Sequence, residues 1–234
     1  MWKRCWTGII CIKLALSNMK KHFIILFLGA LMALGTSRAM AQSFNAGLTA
    51  GATFCQVDGD KYFGFHKLGF TAGAFANLPL IDHLSAQAEL KYSLFGAHSS
   101  TKEVTEYNYN PYSLRLHYAE IPVMLRYDLG IFRVGGRPLD FIILEAGASV
   151  DVRLRATEDV DTDYQVTTNR WNALSATANV GLGVAIGEHL EVGARFMYSV
   201  APCRFSASPG WFFGQYYNKV IQLTMSYNLY SPLR

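Results

Sequence analysis

The sequence predicts an all-β fold, an eight-stranded antiparallel up-and-down transmembrane β-barrel preceded by a signal peptide. Three observations lead there. The chain of 234 residues is 51% hydrophobic, yet its mature region has no stretch of ~20 consecutive apolar residues such as a spanning helix requires. Only 16% of residues are charged, below the quarter or so of an ordinary soluble domain. Apolar and polar residues instead alternate along successive runs, the period of a strand with one face on an apolar medium.

The N-terminus reads as export machinery. From Met19 come Lys20-Lys21-His22, an apolar core from Phe23 to Leu34, then Ala39-Met40-Ala41. A basic segment, an apolar core and a small-x-small site make a cleavable leader. Residues 19–41 are therefore the expected signal peptide, with cleavage after Ala41 and Gln42 first in the mature chain. Residues 1–18 precede a complete leader and read as a mis-annotated N-terminal extension. The barrel domain is expected over 42–234. Removal of the leader takes Cys5 and Cys11 and leaves Cys55 and Cys203. Export exposes that pair to an oxidising compartment where it could form a bridge, although the first and seventh strands of such a barrel are not neighbours. The net charge of +4 includes no basic patch, which argues against nucleic acid.

Each run can be divided into two faces. Phe44 to Cys55 sets Phe44, Ala46, Leu48, Ala50, Ala52 and Phe54 against Asn45, Gly47, Thr49, Gly51, Thr53 and Cys55. Leu68 to Leu78 and Leu84 to Leu94 follow the same rule, with Gln87, Glu89, Lys91 and Ser93 on the polar side of the latter. In the fourth run Leu114, Leu116 and Tyr118 share one parity, whereas Ile121, Val123, Leu125 and Tyr127 have the other. One slipped residue turns every side chain to the opposite face, so a bulge is expected between Tyr118 and Ile121, where Pro122 would suit it. Ile142 to Leu154, Leu174 to Ile186, Leu190 to Val200 and Ile221 to Leu229 complete the eight.

Long and short connections alternate. Segments 79–83 and 187–189 are short and 128–138 is intermediate, whereas 56–67, 99–113, 155–173 and 201–219 are longer. Bacterial outer-membrane barrels have short periplasmic turns and long extracellular loops, so both mature termini are expected in the periplasm. The polar faces consist mostly of Gly, Ser, Thr and Asn, too small and uncharged for a water-facing sheet. The apolar faces run ten or more residues almost without charge, enough to cross a bilayer on a tilted strand. The apolar face is thus expected to meet lipid, with Phe44, Phe54, Tyr92, Tyr127, Tyr198 and Tyr227 in the interfacial girdles. A soluble lipocalin-like ligand binder is the rival with the same period.

The polar face then fills a lumen that eight strands make only just wide enough for side chains. Glu89, Lys91, Arg115, Glu120, Arg126, Glu145, Asp151, Arg153, Glu191 and Arg195 take the inward parity once the bulge is allowed. Acids and bases nearly balance, so pairing is expected, since isolated buried charges are costly. Gly47, Gly51, Gly69, Gly73, Gly147, Gly181, Gly183 and Gly193 would make room for them. The expected lumen is a packed polar plug.

No catalytic, cofactor-binding or metal-binding residue is assigned. Gly181-Leu-Gly183 lies within a strand with no helix after it, unlike a dinucleotide loop. Glu158-Asp159-Val160-Asp161-Thr162-Asp163 lacks the glycine and closing glutamate of a calcium loop, Tyr164 and Arg170 standing in those places. His83, His98, His117 and His189 show no ligand spacing, and no nucleophile-elbow motif occurs. Trp211, Phe212, Phe213, Tyr216 and Tyr217 form an aromatic cluster in the last long loop, suited to packing over the rim or to clasping a partner.

Several segments resemble the PorT-like outer-membrane β-barrel (porin) family of Bacteroidetes. They are Leu84-Ser-Ala-Gln-Ala-Glu-Leu-Lys-Tyr-Ser-Leu-Phe-Gly96, Leu116-His-Tyr-Ala-Glu-Ile-Pro-Val-Met-Leu-Arg-Tyr127, Gly181-Leu-Gly183, Glu191-Val-Gly-Ala-Arg-Phe-Met-Tyr198 and Leu223-Thr-Met-Ser-Tyr-Asn-Leu229. The resemblance implies an outer-membrane location and no enzymatic activity. The expected partners are outer-membrane lipid and proteins reaching the extracellular loops or the periplasmic turn 128–138, with the barrel itself a monomer. A structural or surface-interaction role is favoured, the alternatives being an accessory of a secretion apparatus or a small-solute channel.

Overall fold

A computed structural model of the chain describes residues 45–59, 64–106, 111–134, 137–160, 165–167, 171–205 and 215–230. The expected leader and extension, Phe44 and the cluster from Trp211 to Phe213 lie outside the described residues.

The alternating runs form β1 (Asn45–Asp58), β2 (Lys67–Ile81), β3 (Leu84–His98), β4 (Tyr112–Val134) and β5 (Arg137–Val160). A one-turn helix, α1 (Thr101–Thr105), sits between β3 and β4. There follow β6 (Gln165–Thr167), β7 (Leu174–Ile186), β8 (Leu190–Ser199), β9 (Arg204–Phe205) and β10 (Gln215–Tyr230). Apart from the short β6 and β9, the strands pair antiparallel in the order β1-β2-β3-β4-β5-β7-β8-β10, and β10 pairs back onto β1. The sheet closes on itself as an eight-stranded barrel, which leaves no long edge unpaired.

The outer face is apolar, as the parity argument expects. Leu68, Leu90, Leu125, Val150, Leu182 and Leu223 all point outward, with Leu68 63% and Leu90 62% exposed. Their opposite-parity neighbours Thr71, Glu89, Arg126, Asn179 and Gln222 are buried inside. On β4, ten residues separate outward Tyr127 from outward His117, and on β10 ten separate Tyr227 from Tyr217. Nine to eleven tilted residues cross a bilayer. These aromatic pairs mark its two interfaces.

The bulge expected between Tyr118 and Ile121 is absent, and this changes which residues face the lumen. β4 alternates without a break, with Leu114, Leu116, Tyr118, Glu120, Pro122, Met124 and Arg126 all buried. The extra residue is Leu154 on β5, because Arg153 pairs with Tyr118 and Arg155 with His117. Pro122 instead marks a gap in the ladder to β3, where pairing passes from Ala88↔Val123 directly to Lys91↔Glu120. Proline has no N–H to donate to that ladder.

Leu114, Leu116 and Tyr118 are apolar because they fill the lumen itself. With Cys55, Val57, Phe95, Ala97, Ala156, Trp171, Met197, Cys203 and Val220 they form one buried cluster. Every member lies toward the long-loop end, so the polar plug gives way there to an apolar one. Connection 128–138 also differs from expectation. β4 and β5 continue to Val134 and from Arg137, leaving only residues 135–136 between them.

Candidate functional site

The buried polar side chains converge in the half of the lumen nearer the short turns. Strands β3, β4, β5, β7, β8 and β10 supply them, each through its inward parity. Arg195 on β8 lies at the centre. Its Nε is 2.7 Å from Glu145 Oε1 and its Nη2 is 2.8 Å from Glu89 Oε1. Lys91 continues the chain, 2.8 Å from Glu89 Oε2 and 3.3 Å from Glu120 Oε1. On the other side Arg126 lies 3.7 Å from Glu145 and forms a close ion pair with Glu191.

Neutral groups complete the shell. Gln87 donates to Glu89 Oε1 at 2.7 Å and accepts from Arg126 Nη1 at 2.7 Å. Gln222 reaches across from β10, donating to Glu120 Oε2 at 3.2 Å and accepting from Lys91 Nζ at 3.1 Å. Ser93 donates to the same Glu120 oxygen at 2.6 Å. Asp151, the cross-strand neighbour of Glu120, accepts from Thr177, which also contacts Ser149 at 2.7 Å. Charge-assisted bonds of this kind are about twice as strong as neutral ones, and burial shields them from salt.

Two glycines make space for the acids. A Cβ on Gly181 would lie 2.5 Å from Glu145 Oε1, and one on Gly183 would lie 2.7 Å from Glu191 Oε1. Both positions belong to the segment that superficially resembles a dinucleotide loop. Within β7 their role is to leave room for carboxylates.

Not every expected lumen charge joins the network. Arg115 points outward and pairs with Asp159 at 2.8 Å, since no bulge turns it inward. Arg153 is held at the rim, where its Nε donates to the Asn172 carbonyl oxygen at 3.2 Å. The described network therefore has the bases Lys91, Arg126 and Arg195 against the acids Glu89, Glu120, Glu145, Asp151 and Glu191. It is acid-rich where near balance was expected.

At the short-turn end the lumen opens into a vestibule of about 230 Å³, lined among others by Asn77, Ser85, Arg126, Asp128, Glu191 and Asn228. His83, at its lip, adopts a positive φ of 65° in the β2–β3 turn and bonds to Asp128 at 2.5 Å. At the opposite end Arg204 lies over the rings of both Trp171 and Tyr216 and pairs with Glu158 at 3.1 Å. Trp171 Nε1 donates to the same Glu158 oxygen at 2.7 Å. Glu158, considered above for calcium, is thus engaged in fastening two long connections over the lumen. Cys55 and Cys203 are both buried and are not bridged to each other. Their sulfurs donate weakly to the carbonyl oxygens of Leu94 and Tyr216. Of the histidines, His117 bonds to Tyr92 at 2.5 Å on the outer face and His189 stacks on Tyr227. Among the described residues no group of three or more His, Cys, Asp or Glu is placed to hold a metal ion.

A family profile described as the outer membrane protein beta-barrel domain matches residues 40–203. The chain belongs to that family. As a member it is an integral protein of the bacterial outer membrane. No curated protein matches the sequence. Solved outer-membrane barrels are similar at low identity. Ail, the attachment invasion locus protein of Yersinia pestis, is 11% identical over 79% of this chain and 98% of that one, with a TM-score of 0.46. Neisserial surface protein A is 11% identical over 80% and 97%, with a TM-score of 0.43. The N-terminal β-barrel domain of Pseudomonas aeruginosa OprF is 13% identical over 79% and 98%, with a TM-score of 0.36.

Proposed function

We propose that this outer-membrane barrel is a non-enzymatic structural and surface-interaction protein whose lumen does not conduct. The observation that carries this reading is the double closure of the lumen. Ion-paired side chains cross its periplasmic half from wall to wall, and Phe95, Leu114, Leu116, Tyr118 and Met197 fill the extracellular half. An open channel needs a continuous aqueous path, and neither layer leaves one. In planar bilayers the purified protein should give no conductance steps, whereas a Phe95→Ala/Tyr118→Ala variant combined with Arg195→Ala should leak. Steps from the unaltered protein would make it a small-solute channel.

A second reading is favoured by the periplasmic β4–β5 ribbon. It carries Ile131, Phe132 and Val134, 61%, 57% and 67% exposed. Such a ribbon suits an accessory of a secretion apparatus, as the resemblance to PorT-like proteins of Bacteroidetes suggests. Cross-linking from Phe132→Cys in native membranes should then yield one defined adduct. We also propose export through a leader cleaved after Ala41. The intact mass of the purified protein should correspond to a chain beginning at Gln42, and a mass retaining residues 1–41 would refute that.

A further inference from the structure

We propose that the outward-facing cations at the extracellular end of β4 and β5 hold a phosphate group of an outer-leaflet glycolipid. The proposal rests on the outer-membrane assignment and adds a ligand to it. Arg115 and His117 on β4 and Arg155 on β5 share the outward face, and His117 is the cross-strand partner of Arg155. Arg155 and Arg115 both act electrostatically on the His117 ring. These three side chains therefore make one local positive field on the outer face.

Its neutralisation within the protein is incomplete. Asp159 pairs with Arg115 at 2.8 Å. Among the described residues Arg155 has no carboxylate within ion-pair distance. The outward-facing group contains two permanent cations against one acid, and Arg155 is exposed.

The height of the group identifies the anion. His117 lies ten residues above Tyr127 along β4, the length of one tilted crossing. Ile121, Val123 and Leu125 occupy the outward positions between them and are 44%, 58% and 54% exposed to the bilayer. Tyr92 bonds to His117 at 2.5 Å and packs on Phe70 with ring centroids 5.5 Å apart, as an interfacial girdle would. Arg155, in that position, adjoins hydrocarbon on one side and lipid headgroups on the other. Charges at a membrane surface are drawn to anionic headgroups, and guanidinium groups form paired bonds to phosphate oxygens.

The test uses the full chain in lipid nanodiscs of phosphatidylcholine, supplied either with lipid A bearing its phosphates or with dephosphorylated lipid A. Lipid retained per barrel is measured after size exclusion. Phosphorylated lipid A should be retained roughly tenfold better by the unaltered protein than by Arg115→Gln/Arg155→Gln, the scale of one lost charge-assisted bond. Dephosphorylated lipid A should be retained equally by both. Arg133→Gln, on the periplasmic ribbon, should behave as the unaltered protein does. Should the double variant fail to fold, Arg155→Gln alone, which leaves the Arg115–Asp159 pair intact, carries the same expectation, and Arg155→Lys should restore most of the binding. Retention independent of the lipid phosphates, or of Arg155, would overturn the proposal. So would displacement of the lipid by inorganic phosphate at equal concentration, which would indicate a site for free anions. The outer-membrane assignment is read separately, from the cell fraction that holds the protein.

Discussion

Arg195 bonds two carboxylates on different strands, Glu89 on β3 and Glu145 on β5, and all three side chains are at least nine-tenths buried. Replacing it with methionine keeps the volume but leaves two carboxylates facing each other without a counter-charge. Removing one partner from a buried ionic group costs about 3–5 kcal/mol, so Arg195→Met should lower the urea midpoint of the folded band markedly. Glu89→Gln/Glu145→Gln/Arg195→Met removes the charges together and should recover most of that loss. If the triple variant were no more stable than the single one, the network would owe its stability to something other than charge pairing. Gly181→Val should also destabilise, because its Cβ would lie 2.5 Å from Glu145 Oε1 and press that carboxylate away from Arg195, at about 1–3 kcal/mol. Inward parity alone identifies Glu89, Lys91, Glu145 and Arg195 in the sequence as lumen residues. Who pairs with whom is not legible there, since Arg195 and Glu89 are 106 residues apart and meet only when the barrel closes.

β4 shows how a pattern can be read correctly and assigned to the wrong medium. Leu114, Leu116 and Tyr118 look like a lipid face, because alternation carries no label for which apolar surroundings a side chain meets. A bulge was the only way to reconcile them with Ile121, Val123 and Leu125. The structure removes the conflict by giving the lumen an apolar half. The residues that could have indicated this are Cys55, Phe95 and Met197, apolar side chains placed on otherwise polar faces at the same end of three other strands. A nitroxide attached at Ile121→Cys should therefore be relaxed strongly by oxygen dissolved in the bilayer, whereas one at Ala97→Cys or Leu116→Cys should be shielded. Similar relaxation at Leu116 and Ile121 would restore the bulge. The β4–β5 ribbon was legible only as a connection of intermediate length, since its pairing extends past the alternating runs. Ile131→Asp on this exposed ribbon should alter the stability of the barrel by no more than about 0.5 kcal/mol, measured by the same urea midpoint, while abolishing the adduct formed from Phe132→Cys.

For the molecule as a whole, alternation and the long–short rhythm of the connections were sufficient for the closed barrel and its strand number. They could not give the interior, because a lumen divided into an ionic half and an apolar half depends on side chains from every wall at once. The division has a directional consequence. The vestibule opens at the short-turn end, whereas Trp171, Tyr216 and Arg204 with Glu158 fasten the long connections over the opposite end. Cys55 and Cys203, 1% and 0% exposed, lie beneath that cover and serve as native reporters of it. In the folded protein a charged maleimide should leave both thiols unmodified from either side of the membrane, whereas Ser85→Cys, in the wall of the vestibule, should react from the periplasmic side alone. After unfolding in urea Cys55 and Cys203 should react fully, and to the same extent with or without prior reduction, because no disulfide joins the two. Modification of Cys55 in the folded barrel would mean that the extracellular half admits solvent. Closure would then have to come from the ionic layer around Arg195 alone, and Arg195→Met by itself would be expected to conduct.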